Sequence, residues 1–209
     1  VAEASRAASS SGSSSSGKQR PMLDQLAIDL TQMARDGKLA PVVGREAEMD
    51  LVLETLCKVT KRNPALVGQA GVGKTAIAEG VAKRIAEGNC PEMLRNARIY
   101  LLQPAALLAG LQSPPEYAQR VQEVIREASD PDVILFIDEF HSIMERGLVM
   151  EQDLVTLLKP ALARGDIACI AATTDDEYRR IVESDTALSR RFQPIRIGEM
   201  GPDDTLIVL

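Results

Sequence analysis

An α/β fold, a parallel sheet flanked by helices, is the architecture this chain predicts. Three observations carry it. Residues 66–75 read Leu-Val-Gly-Gln-Ala-Gly-Val-Gly-Lys-Thr, an apolar run that breaks into a glycine-rich turn and then into good helix formers over 76–86. Residues 133–137 are Val-Ile-Leu-Phe-Ile, apolar without alternation, as a parallel strand buried on both faces requires. Short apolar segments at 65–67, 97–102, 133–137 and 167–174 alternate with helical patterns, the order of a crossover-connected sheet.

The elements follow in chain order. Residues 1–20 centre on a Ser/Gly run that cannot offset its own ordering entropy, so they read as a flexible linker or tail before a domain over 21–209. The chain opens on Val1, and the expectation is a piece of a longer protein. Leu23, Leu26, Leu30 and Met33 stand at helical spacing and predict one helix over 21–37, with Gly37 as its C-cap. An extended stretch through Val42 and Val43 turns at Gly44 into a second helix over 46–60, which Pro64 follows. A short helix is expected at 104–108, a polar connection over 109–117, and a helix over 116–128 with Tyr117, Val121, Val124 and Ile125 on its apolar face. Pro114-Pro115 favours a polyproline-like segment in that connection. A helix over 153–163 contains Pro160, a short one covers 178–182, and residues 195–197 are strand-like.

Composition narrows the function. The 209 residues are 45% apolar but only 3% aromatic, so aliphatic side chains must fill the core. A net charge of −6 gives no electrostatic case for a nucleic-acid or membrane partner, and no apolar run approaches a membrane span. Cys57, Cys90 and Cys169 are scattered, which suits a reducing, cytoplasmic compartment.

The chemistry concentrates in two stretches. Gly68-Gln69-Ala70-Gly71-Val72-Gly73-Lys74-Thr75 has the spacing of a phosphate-binding loop, with Ala76 in the first turn of the following helix. Backbone N–H groups of the turn and the helix start suit phosphate oxygens, Lys74 adds a positive charge, and the Thr75 hydroxyl suits Mg²⁺. Asp138 and Glu139 follow the 133–137 strand, at the edge where open α/β sheets place ligands. Asp138 suits the metal and Glu139 the attacking water of ATP hydrolysis. Arg190 and Arg191 are candidates for stabilising charge on a transferring phosphoryl group. Val42 and Val43 fit either packing between helices or an adenine pocket. His141 is the single histidine, without partners for a metal site or a triad, and reads as a structural or nucleotide-coupling residue.

From residue 22 to the end the chain resembles the first AAA+ ATPase domain of the Clp-type unfoldases and disaggregases. The likeness lies in residues 23–45, 63–83, 134–141, 158–165, 171–174, 176–179 and 190–194. It implies a P-loop NTPase core and a hexameric ring that hydrolyses ATP with Mg²⁺ to act on a protein substrate or adaptor. By this resemblance Val42 and Val43 flank adenine, residues 68–76 hold the nucleotide, Asp138 and Glu139 form the Walker B pair, and Thr174 is sensor 1. Arg190 and Arg191 then act across the subunit boundary, and the helical lid falls beyond Leu209. The pattern departs at Gln103, at 144–150, and above all at 112–117, where Ser113 stands at the position of the family's gripping aromatic. That departure opens a second expectation, an ATPase ring with an assembly or regulatory role and no polypeptide threading.

Overall fold

A computed structural model of the protein describes residues 20–111, 113–138 and 154–199. Residues 1–19 of the linker expected over 1–20, Gln112, Glu139, His141 and the 144–150 stretch lie outside them; Arg20 lies inside and is buried.

Among the described residues, β1 (Ala27–Asp29), β2 (Asn63–Val67), β3 (Arg98–Leu102), β4 (Val133–Ile137), β5 (Ala168–Thr173) and β6 (Phe192–Arg196) form one sheet in the order β1-β3-β4-β5-β2-β6. All pairings are parallel except the antiparallel pair β1–β3. The strand before the phosphate loop, β2, is interior, between β5 and β6, and β4 lies one strand beyond β5. Helices cover both faces: α1 (Pro21–Leu26), α2 (Leu30–Arg35), α3 (Glu46–Leu56), α4 (Lys74–Ala86), α5 (Pro104–Leu108), α6 (Pro114–Ala128) and α7 (Leu154–Arg164).

Period-two side-chain direction divides each strand between two cores. On one face Ala65, Val67, Leu135, Ile137 and Cys169 pack with Val121 and Val124 of α6 and Leu158 and Leu162 of α7. On the other, Leu66, Ile134, Phe136, Ile170 and Ala172 pack with Val52 and Leu53 of α3 and Ile77 and Val81 of α4. The few aromatics are used where they bury most: Tyr100, Phe136 and Phe192 are all fully buried. Each such side chain stabilises the fold by roughly 1.5–3 kcal/mol.

The single helix expected over 21–37 is overturned. The chain forms α1, crosses the sheet edge as β1, and re-enters as α2. Leu23 packs into one core, with Leu26 against it; Leu30 packs into the other, with Met33 against it. The helical spacing therefore recorded two short helices on opposite faces. Asp29 makes the break: its carboxylate accepts the Gln32 N–H at 2.8 Å, capping α2, and binds the Arg98 guanidinium of the neighbouring strand. The buried Thr31 hydroxyl accepts the Ile99 N–H at 2.9 Å, satisfying β3 where β1 has ended.

Other boundaries shift for local reasons. Pro114 and Pro115 occupy the first turn of α6, where a missing N–H costs nothing and a fixed φ is already helical, so the expected polyproline-like segment is absent. Helix α7 runs through Pro160 without ending. The expected helix at 178–182 begins earlier, as an α-turn over Asp175–Tyr178 that continues as a π-helical turn over Arg179–Glu183.

The entry to the domain is held by the far end of α6. Buried Glu127 accepts the Leu23 N–H at 2.9 Å and the Met22 N–H at 3.1 Å, capping α1, and Arg20 pairs with Asp130 at 3.0 Å. Glu127→Ala leaves two backbone donors without their acceptor, and is expected to cost about 2 kcal/mol, read from the urea midpoint at unchanged slope. Glu127→Gln, which keeps one oxygen, should cost less.

Candidate nucleotide site

The site is built where β2 ends. Val67 gives way to Gly68, whose N–H donates to the Thr173 carbonyl of β5 at 3.1 Å. A Cβ on Gly68 would stand 2.4 Å from the Ile197 carbonyl oxygen, so only glycine allows the backbones this close. Gly71 and Gly73 have φ of +83° and +94°, the left-handed region that curls the loop back onto α4. Lys74 opens α4 and Ile77 N–H is bonded to Gly73 O, which leaves the first N–H groups of the helix for a ligand.

Two side chains of the loop already have partners. The Lys74 ammonium donates to the carbonyls of Gly68 and Gln69, both at 2.8 Å. The Thr75 hydroxyl donates to the Asp138 carboxylate at 2.6 Å, although β5 separates the two parent strands. The structure thus brings Thr75 and Asp138 together. Glu79, one turn along α4, is a third oxygen-bearing group near them. Burial, and then the Asp138 charge, push its carboxyl above the ordinary carboxylate range.

The remaining sequence candidates separate into groups. Val42 is half-buried and packs beside Gly80 of α4, where an added Cβ would meet it at 3.3 Å and Met49 at 2.4 Å. Val43 is half-buried next to it. The Thr174 N–H and the Thr173 hydroxyl both donate to Glu177, at 3.0 and 3.1 Å, which pins the end of β5 beside the loop. Arg190 and Arg191 stand at the opposite edge. They precede β6, which runs parallel to β2 with Asn63 opposite Phe192 and Val67 opposite Arg196. The Arg191 guanidinium donates to Arg164 O at 3.3 Å and would lie 3.0 Å from a Cβ on Gly165, while Arg190 is exposed. Ala70, Val72 and Ala76 lie in the loop and first helical turn as expected. No helix among the described residues is long and apolar enough to cross a membrane.

A glycine loop on a helix start, aligned with a carboxylate from the next-but-one strand, agrees with a family model. The ATPase family associated with various cellular activities (AAA) matches residues 64–198. The chain belongs to the AAA family.

This AAA domain is closely related to the Clp chaperones. It is 49% identical over 190 residues to the chaperone protein ClpB of Rhodopirellula baltica, covering 90% of this chain and 22% of that protein. Against the chloroplastic ClpC1 of Arabidopsis thaliana it is 43% identical over 211 residues, covering 100% of this chain and 23% of the relative. The S. cerevisiae Hsp104–ADP complex superposes with a TM-score of 0.80 at 43% identity, over 90% of this chain and 32% of that one. The AAA chain therefore spans about a fifth of the length of the curated relatives it matches.

Sequence reasoning did not single out two groups at this site. Glu79 lay hidden inside a good helix, though its spacing of four from Thr75 puts both on one face. Arg45 sat in a matched stretch without a role; its side chain reaches the loop carbonyl of Val72 at 2.9 Å.

Glu79 generates a pH prediction. Its folded pKa is raised, so the carboxyl is neutral at no cost below about pH 4, and ionising it penalises the native state as pH rises through the folded value. In EDTA and without nucleotide, Glu79→Gln should therefore melt higher than wild type at pH 7, and the difference should vanish near pH 4.

Proposed function

We propose that this domain binds MgATP at residues 68–76 and hydrolyses it within a ring assembly that acts on protein. The observation that carries the reading is the 2.6 Å contact of Thr75 with Asp138 at the mouth of a glycine loop. A hydroxyl on a helix start and a carboxylate on a strand end form a hard-oxygen pair suited to magnesium. Gly68, Gly71 and Gly73 leave the backbone open to phosphate, and Lys74 rests on loop carbonyls that a more strongly charged oxygen can displace. Magnesium bound by Thr75 and Asp138 would neutralise charge on the phosphate oxygens. Glu139 orients the attacking water, Thr174 senses the terminal phosphate, and Val42 and Val43 flank the base. Hsp104, in complexes with ADP and with ATPγS and casein, supports the same use of a similar domain.

The polarity of the sheet supports the ring. Five-residue strands at about 3.3 Å per residue hold Arg190 roughly 15 Å from the phosphate loop of its own chain. Its guanidinium therefore serves a neighbouring subunit. A contact between opposite edges is head-to-tail, and such a contact closes into a ring when the rotation between copies is right; the resemblance to the Clp unfoldases implies six subunits. Of the two arginines, Arg190 is the one that reaches across, and Arg191 anchors the turn through Arg164 and Asn63.

One observation favours an assembly or regulatory role over threading. The α5–α6 connection is tied down by Arg120, which donates to Leu107 O at 3.2 Å and Ala109 O at 2.8 Å. Ser113 offers little apolar area there, Pro114 begins a helix at once, and Tyr117, the nearby aromatic, is buried in the core. A loop so built has little with which to hold an extended polypeptide.

The intact protein tests these roles. Lys74→Ala should weaken nucleotide binding by about tenfold or more. Glu139→Gln should keep binding and lower turnover at this site by about a hundredfold or more, with any other ATPase site silenced; retained turnover would refute its role. Arg190→Ala should cut turnover by about a thousandfold, and mixing it with wild type should depress activity beyond dilution, whereas Arg191→Ala should chiefly lower stability. Turnover without unfolding of a tagged substrate would decide for the non-threading reading.

A further inference from the structure

Arg45 is a buried cation with no place in the chemistry above. It is 6% exposed, and its conformation is set by Gly44, at φ +73°, and by its position just before α3. Nη1 donates to the Glu48 carboxylate at 2.9 Å. Nη2 donates to two carbonyls, Val72 O at 2.9 Å and Gly198 O at 2.8 Å. Those acceptors are 27 and 153 residues away in the chain. One guanidinium thus joins the apex of the phosphate loop to the segment that leaves β6.

Two further contacts make that segment part of the loop's wall. The Ile197 N–H donates to Val67 O at 2.8 Å, and the Ile197 carbonyl occupies the space that a side chain on Gly68 would need. Residues 197–198 are therefore held at the loop's start by Val67 and Gly68 and at its apex by Arg45. Val72 lies between Gly71 and Gly73, the two residues in the left-handed region, where the backbone has most freedom to rearrange. The Arg45–Val72 bond restrains that freedom. A lysine cannot substitute, because a single ammonium lacks the planar fork that spans Glu48 and both carbonyls.

We propose that Arg45 is a positioning residue that fixes the apex of the phosphate loop and couples nucleotide binding to the segment leaving β6. The proposal rests on the reading of residues 68–76 as a nucleotide site. Binding that orders the loop must then order residues 197–199 as well, and by linkage the order of that segment raises nucleotide affinity.

The test is Arg45→Lys in the intact protein, with a fluorescent ATP analogue for affinity, steady-state turnover, and hydrogen exchange with and without ATPγS. Loss of a charge-assisted bridge predicts about tenfold weaker binding, a matching rise in KM, and kcat within about twofold of wild type. Wild type should show nucleotide-dependent protection at 195–199, and the variant should lose it there while keeping it in the second half of α4. A merely structural arginine would lower the melting temperature and leave the affinity of the folded protein and its exchange pattern unchanged; that result overturns the proposal, as does a fall in kcat with affinity intact. Should Arg45→Lys fail to fold, Glu48→Gln frees the guanidinium without removing its carbonyl partners. It must weaken binding about threefold in the same direction, and unchanged affinity overturns the proposal. If wild type itself binds no nucleotide, the site reading and this one fall together; if wild type binds and the variants bind as tightly, this one falls alone.

Discussion

The close approach of backbone at Gly68 is the constraint on which the site depends. At that residue β2 ends, β5 contributes the Thr173 carbonyl, and the chain leaving β6 lays its Ile197 carbonyl where a side chain would be. Three strand ends converge because one residue has no Cβ. The loop that follows can then turn tightly enough to start α4 above the sheet, and Thr75 is delivered to Asp138 across the intervening strand. Had β2 and β6 been forced apart at this edge, the loop would have no wall, and Arg45 could not touch both Val72 and Gly198.

The parallel sheet gives the molecule a direction. Every strand from β2 to β6 points its carboxyl end at the same edge, and there the glycine loop, Asp138 and the Thr173–Thr174 pair collect. The amino edge carries Arg190 and Arg191, linked to β2 by the Asn63 N–H on Arg191 O. Asn63 also accepts the Cys169 N–H at 3.1 Å, tying β5 into the same corner. The glycine loop and the arginine pair thus stand at opposite edges of the sheet.

Helix α6 spans a different axis. Its first turn is set by Pro114 and Pro115 beside the tethered α5–α6 connection, and its last turn holds the entry of the domain through Glu127, with Asp130 just beyond the helix pairing with Arg20. The body between them is anchored in the core by Tyr117, Val121 and Val124. The two ends therefore belong to one rigid rod, and neither can shift without the other.

Local chemistry made much of this legible in the amino-acid sequence. Gly68, Gly71, Gly73, Lys74 and Thr75 lie within eight residues, so their geometry is written in their spacing. The uninterrupted apolar run of β4 announced a strand buried on both faces, and the oxygen groups after β4 and β5 followed from it. The stripe Leu23, Leu26, Leu30, Met33 misled, because helical spacing records that residues are buried and not against which face. Pro114-Pro115 was equally open, since a fixed φ suits a helix start as well as an extended segment. Val42 packs beside Gly80 of α4, a contact that suits helix packing and a pocket wall alike, so spacing leaves both readings of Val42 and Val43 open. Arg45 was invisible as a bridge, for its acceptors are backbone carbonyls that carry no residue signature. The sequence by itself determined the fold class and the spacing of the glycine loop between strand and helix. Only the tertiary structure decided the edge strand β1, the contact of Arg191 with Arg164, and the Arg45 bridge, because each depends on contacts between segments that no local pattern relates.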